Sequence, residues 1–276
     1  MKRQKISALL LRLSVYLATT ITVGALLFVV GYILYKGVPN LSPKLFEWRY
    51  TSDNLSLLPA LLNTILMTLL SLLIAVPLGV FAAIYLVEYA KRGSKLVRFI
   101  RMNAETLAGI PSIVYGLFGM LFFVTALKLG FSMLSGALTI SIMILPVILR
   151  TSEEALMSVP DSYREGSFGL GAGRLRTVFR VVLPDAIPGI LAGVILGVGR
   201  TVGETAALLY TAGTSSDTVS GIMDSARTLS VHMYALSQEG LYINQTYATA
   251  VVLLVIVIGI NALSAMIAKR VTRRKV

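Results

Sequence analysis

No cysteine occurs in this chain of 276 residues, and histidine and tryptophan occur once each. Disulfides, thiolate nucleophiles and Cys/His zinc sites are therefore excluded. Charge is also scarce. Only 14% of the residues are charged and 56% are hydrophobic, whereas an ordinary soluble domain carries about 25% charged residues. The mean hydropathy is +0.80. So little polar surface cannot cover a soluble core, which rules out a soluble enzyme, a disordered chain and a disulfide scaffold. A G-x-x-x-x-G-K-[ST] phosphate loop is missing as well. The run Gly169-x-Gly171-x-Gly173 has neither a preceding strand nor a following Lys-Ser/Thr. What remains is a polytopic, all-α membrane protein.

Roughly 20 apolar residues in helical form cross a bilayer. Six stretches meet or approach that length: Leu13–Tyr35, Ala60–Val87, Leu107–Leu127, Ser135–Leu149, Ile187–Ala212 and Tyr247–Ala268. The first follows Met1-Lys2-Arg3-Gln4-Lys5, but its apolar run exceeds the ~7–15 residues of a signal core and no small-x-small site follows. It reads as a retained helix. The expected organisation is an N-terminal helix with its outer loop over 1–59, then a core of five helices over 60–276.

Six spans place both termini on one side. With that side cytoplasmic, segments 1–12, 88–106, 150–185 and 269–276 hold 19 of the 25 Lys and Arg residues. They also hold seven of the 13 acids, so the whole net charge of +12 lies inside, while five bases and five acids balance outside. This is the positive-inside signature, and no nucleic-acid partner is needed to explain the basic balance. Tyr32, Tyr35, Tyr210 and Tyr247 fall where an outer aromatic belt would sit. The outer loop 213–246 holds an amphipathic patch, Ala226–Ser237, readable as an interfacial helix or as a packed cap.

The inner loop 150–185 has the richest pattern. Pro160 is expected to stop the fourth helix, Ser162-x-x-Glu165 reads as a capping box, and Gly169, Gly171 and Gly173 read as a helix end. Leu175, Val178, Phe179 and Val182 then follow at i, i+3, i+4 and i+7, with Arg174, Arg176 and Arg180 off that stripe. Pro184 is expected to break this helix before the fifth span. Two readings follow from the residues: a basic helix resting on anionic lipid, or a docking elbow for a cytoplasmic partner.

The spacing Glu165-Gly166-Ser167, Gly171, Leu183-Pro184 resembles the EAA loop of ABC importer permeases, with Gly166 and Ser167 in place of the usual alanines. Glu153-Glu154-Ala155 is a decoy, because Pro160 stands where the glycine belongs. Three further runs resemble the phosphate branch of that family: Glu105–Ser112, Val159–Glu165 and Gly203–Ala206. The run Gly203–Gly213 is similar to its A-type (PstA-type) subunit. The resemblance implies a type I ABC importer permease fold with a cytoplasmic coupling loop, in which Glu165, Gly166, Ser167, Gly171 and Pro184 couple to an ATPase. It implies a heterodimer with a homologous permease subunit, two ATPase subunits carrying ATP and Mg, and an extracytoplasmic phosphate-binding protein. No cofactor is expected in this chain, which would be a multi-pass inner-membrane protein with both termini cytoplasmic.

Arg200 and Glu204 are the ionisable residues well inside a predicted span. Counting from Pro188, Arg200 lies ~18 Å into a core of roughly 30 Å, with Glu204 one turn further on the same face. An arginine there costs about 2.5–3.5 kcal/mol or more, so it needs a partner or a polar route. Either the two form an internal ion pair, or Arg200 lines an anion pathway with Glu204 orienting it. Arg150, at the inner end of the fourth span, anchors the interface or, by the resemblance, belongs to that pathway. Other functions stay open: a permease for another oxyanion or small solute, an ATP-independent channel or carrier, or, with few catalytic groups available, a membrane enzyme.

Overall fold

The computed structural model describes residues 2–91 and 93–273. Met1 and Val276 lie outside the described residues, as do Arg92, Arg274 and Lys275 of the predicted inner charge. Among those described, regular structure is helical throughout. Helix α1 covers Lys2–Gly37, α2 Leu58–Ile84 with a π-turn at Tyr85–Tyr89, α3 Lys95–Ala108, and α4 Ser112–Gly119 with a π-turn at Met120–Ala126. Helix α5 is Met133–Met157, α6 Asp161–Gly169, α7 Arg174–Thr177 followed by a π-turn at Val178–Val182, and α8 Leu183–Val202. Then come α9 (Ala206–Leu209), α10 (Leu229–Glu239) and α11 (Ile243–Arg273). Five continuous helices are long and apolar enough to cross a membrane; a sixth crossing is reached by counting α3 and α4 as one pair, bent by 102°.

Helix α5 is the axle of the bundle. Ile140, Met143, Ile144 and Ile148 are fully buried in it, because small residues let neighbouring backbones close in. On α8, Gly189, Gly193 and Gly197 recur every fourth residue and face Ala155, Thr151 and Ile148 of α5. A Cβ at Gly189 would meet Ala155 Cβ at 2.6 Å, and one at Gly193 would overlap the Thr151 hydroxyl. Lipid supplies no hydrophobic drive between helices, so this small-xxx-small ridge is what allows close van der Waals packing. On the other side, α2 meets α5 through Gly79 against Ile148 and through Ser141 Oγ donating to Ser71 O at 3.1 Å. Helix α1 touches the bundle near its end, where Gly37 sits against Tyr247 and Val251. Tyr32 packs edge-on against Tyr247 at 5.8 Å.

The third predicted span is the first correction. Its helix does not run on from Leu107: Gly109 caps α3 and Pro111 precedes α4, since a residue before proline avoids the helical region. Tyr115 Oη, donating to Leu107 O at 2.7 Å, holds the bend closed. The fourth helix extends inward beyond its apolar stretch to Met157 and stops before Pro160, as expected. The polar residues beyond the apolar stretch are accommodated: Glu153 is buried and paired with Arg101 of α3. The fifth helix ends at Val202 instead of Ala212, capped by Gly203.

Two expectations for the inner loop also change. Helix α6 starts at Asp161 after Pro160 with no side-chain cap, so the Ser162/Glu165 box is absent. Pro184 does not break its helix. Arg174–Val202 is continuous, because the π-turn, with Leu183 N–H reaching back to Val178 O, widens the backbone just before the proline ring. At the opposite end the patch around Ala226–Ser237 is a packed cap. Leu229, Val231, His232 and Leu236 of α10 are buried, Leu229 N–H donates to Thr64 Oγ1 at 2.8 Å, and Asn63 binds the loop carbonyls of Asp217 and Arg227.

Candidate functional site

The elbow formed by α6 and α7 stands out from one end of the bundle. Gly171, between the two helices, has φ +80° with open space around its Cβ position, so its backbone angle, and not crowding, calls for glycine. Ser167 and Thr177 hydroxyls meet at 2.9 Å and tie the arms together. Glu165 and Gly166 are exposed on α6, and Pro184 is exposed at the head of α8. The predicted apolar stripe divides into two faces. Val178 and Val182 are buried in the bundle, whereas Leu175 and Phe179 face outward. With Tyr163, Phe168 and Leu170, the last 90% exposed, they give the elbow an outward apolar surface.

One residue in the quoted run Val159–Glu165 has a place that sequence reading missed. Arg164 turns inward, only 13% exposed, and forms an ion pair at 2.7 Å with Glu88, 8% exposed, at the end of α2. Its guanidinium also donates to Val159 O at 2.7 Å and Leu156 O at 2.9 Å. The partners are 76 residues apart in sequence, so no local pattern could have announced the pair.

Arg200 and Glu204 are separated by the helix break and do not share a helix face. Gly193 lies against Thr151 and Gly197 against Ile148, so the register carries Arg200 about one turn further, level with the middle of α5. Arg200 is half-buried, lies within electrostatic reach of Tyr115, and has no hydrogen bond or ion pair among the described residues. Glu204 is buried, and its Oε1 accepts from Ala207 N at 3.0 Å, capping α9. Its carbonyl accepts from Ser230 of the outer cap. The internal ion pair, one of the two readings of the sequence, is absent among the described residues: Gly203 ends the helix first and Glu204 caps α9 instead.

Arg150 lies two turns before the end of α5, where Glu154 (3.1 Å) and Glu105 (3.9 Å) hold it. It lines a cleft of about 430 Å³ together with Arg101, Glu105, Glu153, Glu154 and Leu196. Leu196 stands one turn before Arg200 on α8, and Arg200 itself does not line the cleft. Among the described residues no cluster of acids and histidine could hold a metal ion.

Comparison with known proteins agrees with this architecture. The protein named "Probable ABC transporter permease protein YqgI" of Bacillus subtilis (strain 168) is 34% identical over 243 residues, covering 82% of this chain and 81% of the relative. The "Phosphate transport system permease protein PstA 1" of Mycobacterium tuberculosis (strain CDC 1551 / Oshkosh) is 36% identical over 220 residues, covering 78% and 71%. The fold is that of a type I ABC importer permease. A chain of a bacterial alginate ABC transporter, solved in complex with an alginate pentasaccharide-bound periplasmic protein, superposes with a TM-score of 0.61 at 18% identity, over 92% of this chain and 96% of that one. Residues 75–275 match the family described as binding-protein-dependent transport system inner membrane component. ATP hydrolysis in such systems lies in a separate subunit. The chain belongs to that family, as a multi-pass permease subunit of an ABC importer.

Proposed function

We propose that this permease forms half of the route for inorganic phosphate in an ATP-driven importer. The observation that carries the reading is Arg200: a permanent cation at mid-bundle, half-buried, with no counter-charge among the described residues. Glu204, the nearest carboxylate in sequence, is committed to capping α9. An arginine left in that position attracts an anion without being neutralised by its own helix. Arg150, held by exposed carboxylates at the mouth of the cleft, would be the next cation along the route toward the elbow. The phosphate-transport names of relatives such as the Mycobacterium tuberculosis protein support the choice of anion.

In this reading the elbow end is cytoplasmic, as are both termini. The outward surface of α6 and α7, with Glu165, Gly166, Ser167 and Gly171 at its centre, docks one of two ATPase subunits, which bind ATP and Mg. A homologous permease subunit completes the heterodimer, and an extracytoplasmic phosphate-binding protein meets the far-face loop 213–246. Alternating access would follow when ATPase closure moves the elbow.

The test is uptake of labelled phosphate by the complete transporter in vesicles. Arg200→Gln is expected to abolish uptake while the ATPase still co-purifies. Excess sulfate or molybdate should leave wild-type uptake unchanged. Normal uptake by the variant would refute the pathway role; strong competition by sulfate or molybdate would assign the route to another oxyanion. Uptake persisting without any ATPase would favour a passive carrier.

A further inference from the structure

We infer that Arg164 is a positioning residue that couples the elbow to α2 and α5, a second mechanical link besides the covalent run of α7 into α8. The inference rests on the docking reading above. Among the described residues, two kinds of connection run from the elbow to the bundle. One is the continuous helix Arg174–Val202, which reaches Arg200. The other is contact between α6 and the ends of the remaining helices, and there a single guanidinium makes most of the polar connection. Arg164 Nε and Nη2 grip Glu88 at 3.1 and 2.7 Å. Nη2 also reaches Leu156 O, and Nη1 reaches Val159 O and Asp161 Oδ1. It therefore joins α6, the last carbonyls of α5 and the π-turn that ends α2.

The end of α2 is held from the other arm too, where Arg174 lies over the Tyr89 ring at 5.6 Å. Because α5 carries Arg150 and α8 carries Arg200, the two links reach the two arginines through different helices: the covalent run through α8 leads to Arg200, and Arg164 leads through α5 to Arg150. A planar fork with five donors fits this set of acceptors, whereas an ammonium with three cannot satisfy them in one plane. Burial of both charges makes the connection stiff, since neither can exchange its partner for water without leaving the other unpaired.

The experiment uses the complete transporter in vesicles and reads phosphate transported per ATP hydrolysed, alongside ATPase co-purification. Arg164→Gln and Arg164→Lys are expected to retain the ATPase and its hydrolysis. Their transport ratio should fall about tenfold, within the range by which residues on a coupled network modulate coupling. Glu88→Gln should lower the ratio in the same direction, and combining it with Arg164→Gln should add little. The cysteine-free chain also permits paired spin labels at exposed Leu170 and Phe81. Their distance should stay fixed through the ATP cycle in the wild type and spread in Arg164→Gln. An unchanged transport ratio in Arg164→Gln would overturn the inference, as would loss of assembly in all three single variants, which would make the pair a folding element only. The docking reading fails by a different result, an ATPase that remains bound and coupled to Glu165→Lys.

Discussion

His232 gives a perturbation confined to the far-face cap. It is buried in α10, edge-on to Tyr50 at 5.9 Å, with Nδ1 3.5 Å from Arg227 Nη1. Burial first, then the Arg227 charge, lower its pKa from 6.5 to about 4, with a weaker opposite pull from the Leu55 backbone. In the unfolded chain the ring takes a proton near pH 6.5; in the fold it resists protonation until about pH 4. Above the first value the two states bind equal numbers of protons and this residue adds no pH dependence. Between the two, the unfolded state binds more, so stability falls as pH falls, by about 1.4 kcal/mol per unit. At pH 5 the loss is about 2 kcal/mol, and at about 2–4 °C per kcal/mol for a chain of this size the apparent melting point drops by about 4–8 °C. Melting curves of the detergent-solubilised complex at pH 7.5 and pH 5 measure it. His232→Gln should remove that increment while the carboxylates, common to both proteins, leave their own. Equal pH dependence in wild type and variant would refute the assignment.

Gly193→Ala should lower the apparent melting point by several degrees. The new Cβ overlaps Thr151, and overpacking of this kind costs about 1–3 kcal/mol, less the helix-propensity gain of about 1 kcal/mol. Thr151→Gly, which empties the facing position, should restore much of the loss in the double variant. Glu165→Lys should weaken co-purification of the ATPase without shifting the melting point, because its side chain is exposed on α6. Gly171→Asp should do the same through the backbone, since a side chain at φ +80° costs about 1–2 kcal/mol and re-aims the two arms. Normal binding and coupling in both would count against docking through the elbow.

The membrane class, the positions of the apolar helices and the elbow could all be read from the sequence, because each depends on composition or on near-neighbour spacing. The Gly169–Gly173 break and the split from α5 at Pro160 are local and fell where expected. What failed were helix ends. Pro184 looks like a stop until a π-turn absorbs its ring, and nothing in four consecutive residues distinguishes a helix that widens from one that ends. Arg200 and Glu204 look like an i,i+4 pair because periodicity assumes one helix, whereas the low helix propensity of Gly203 ends that helix between them. Arg164 and Glu88 were out of reach, since an ion pair across 76 residues leaves no mark on either segment.

The broken helix has a further consequence for the charge at mid-bundle. Had α8 continued, Glu204 would have neutralised Arg200, and the pair would have been a structural tie with little attraction for an anion. Ending α8 at Val202 turns the carboxylate toward the Ala207 amide and links its carbonyl to Ser230, so the same residue that could have silenced the arginine joins the spans to the outer cap. The arginine's desolvation cost, about 2.5–3.5 kcal/mol or more at a bilayer centre, is then unmet by any ion pair among the described residues. In the proposed reading, water, the permeating anion or a second permease subunit meets it. This is why a substitution at Glu204 should act on the cap before it acts on the anion: Glu204→Gln keeps an acceptor for Ala207 N–H and should transport nearly as well as wild type, while Glu204→Ala, which removes it, should lose transport and lower the melting point together. A Gln variant as defective as the Ala variant would show that the charge itself is used in the route, and would restore the pairing that the helix break argues against.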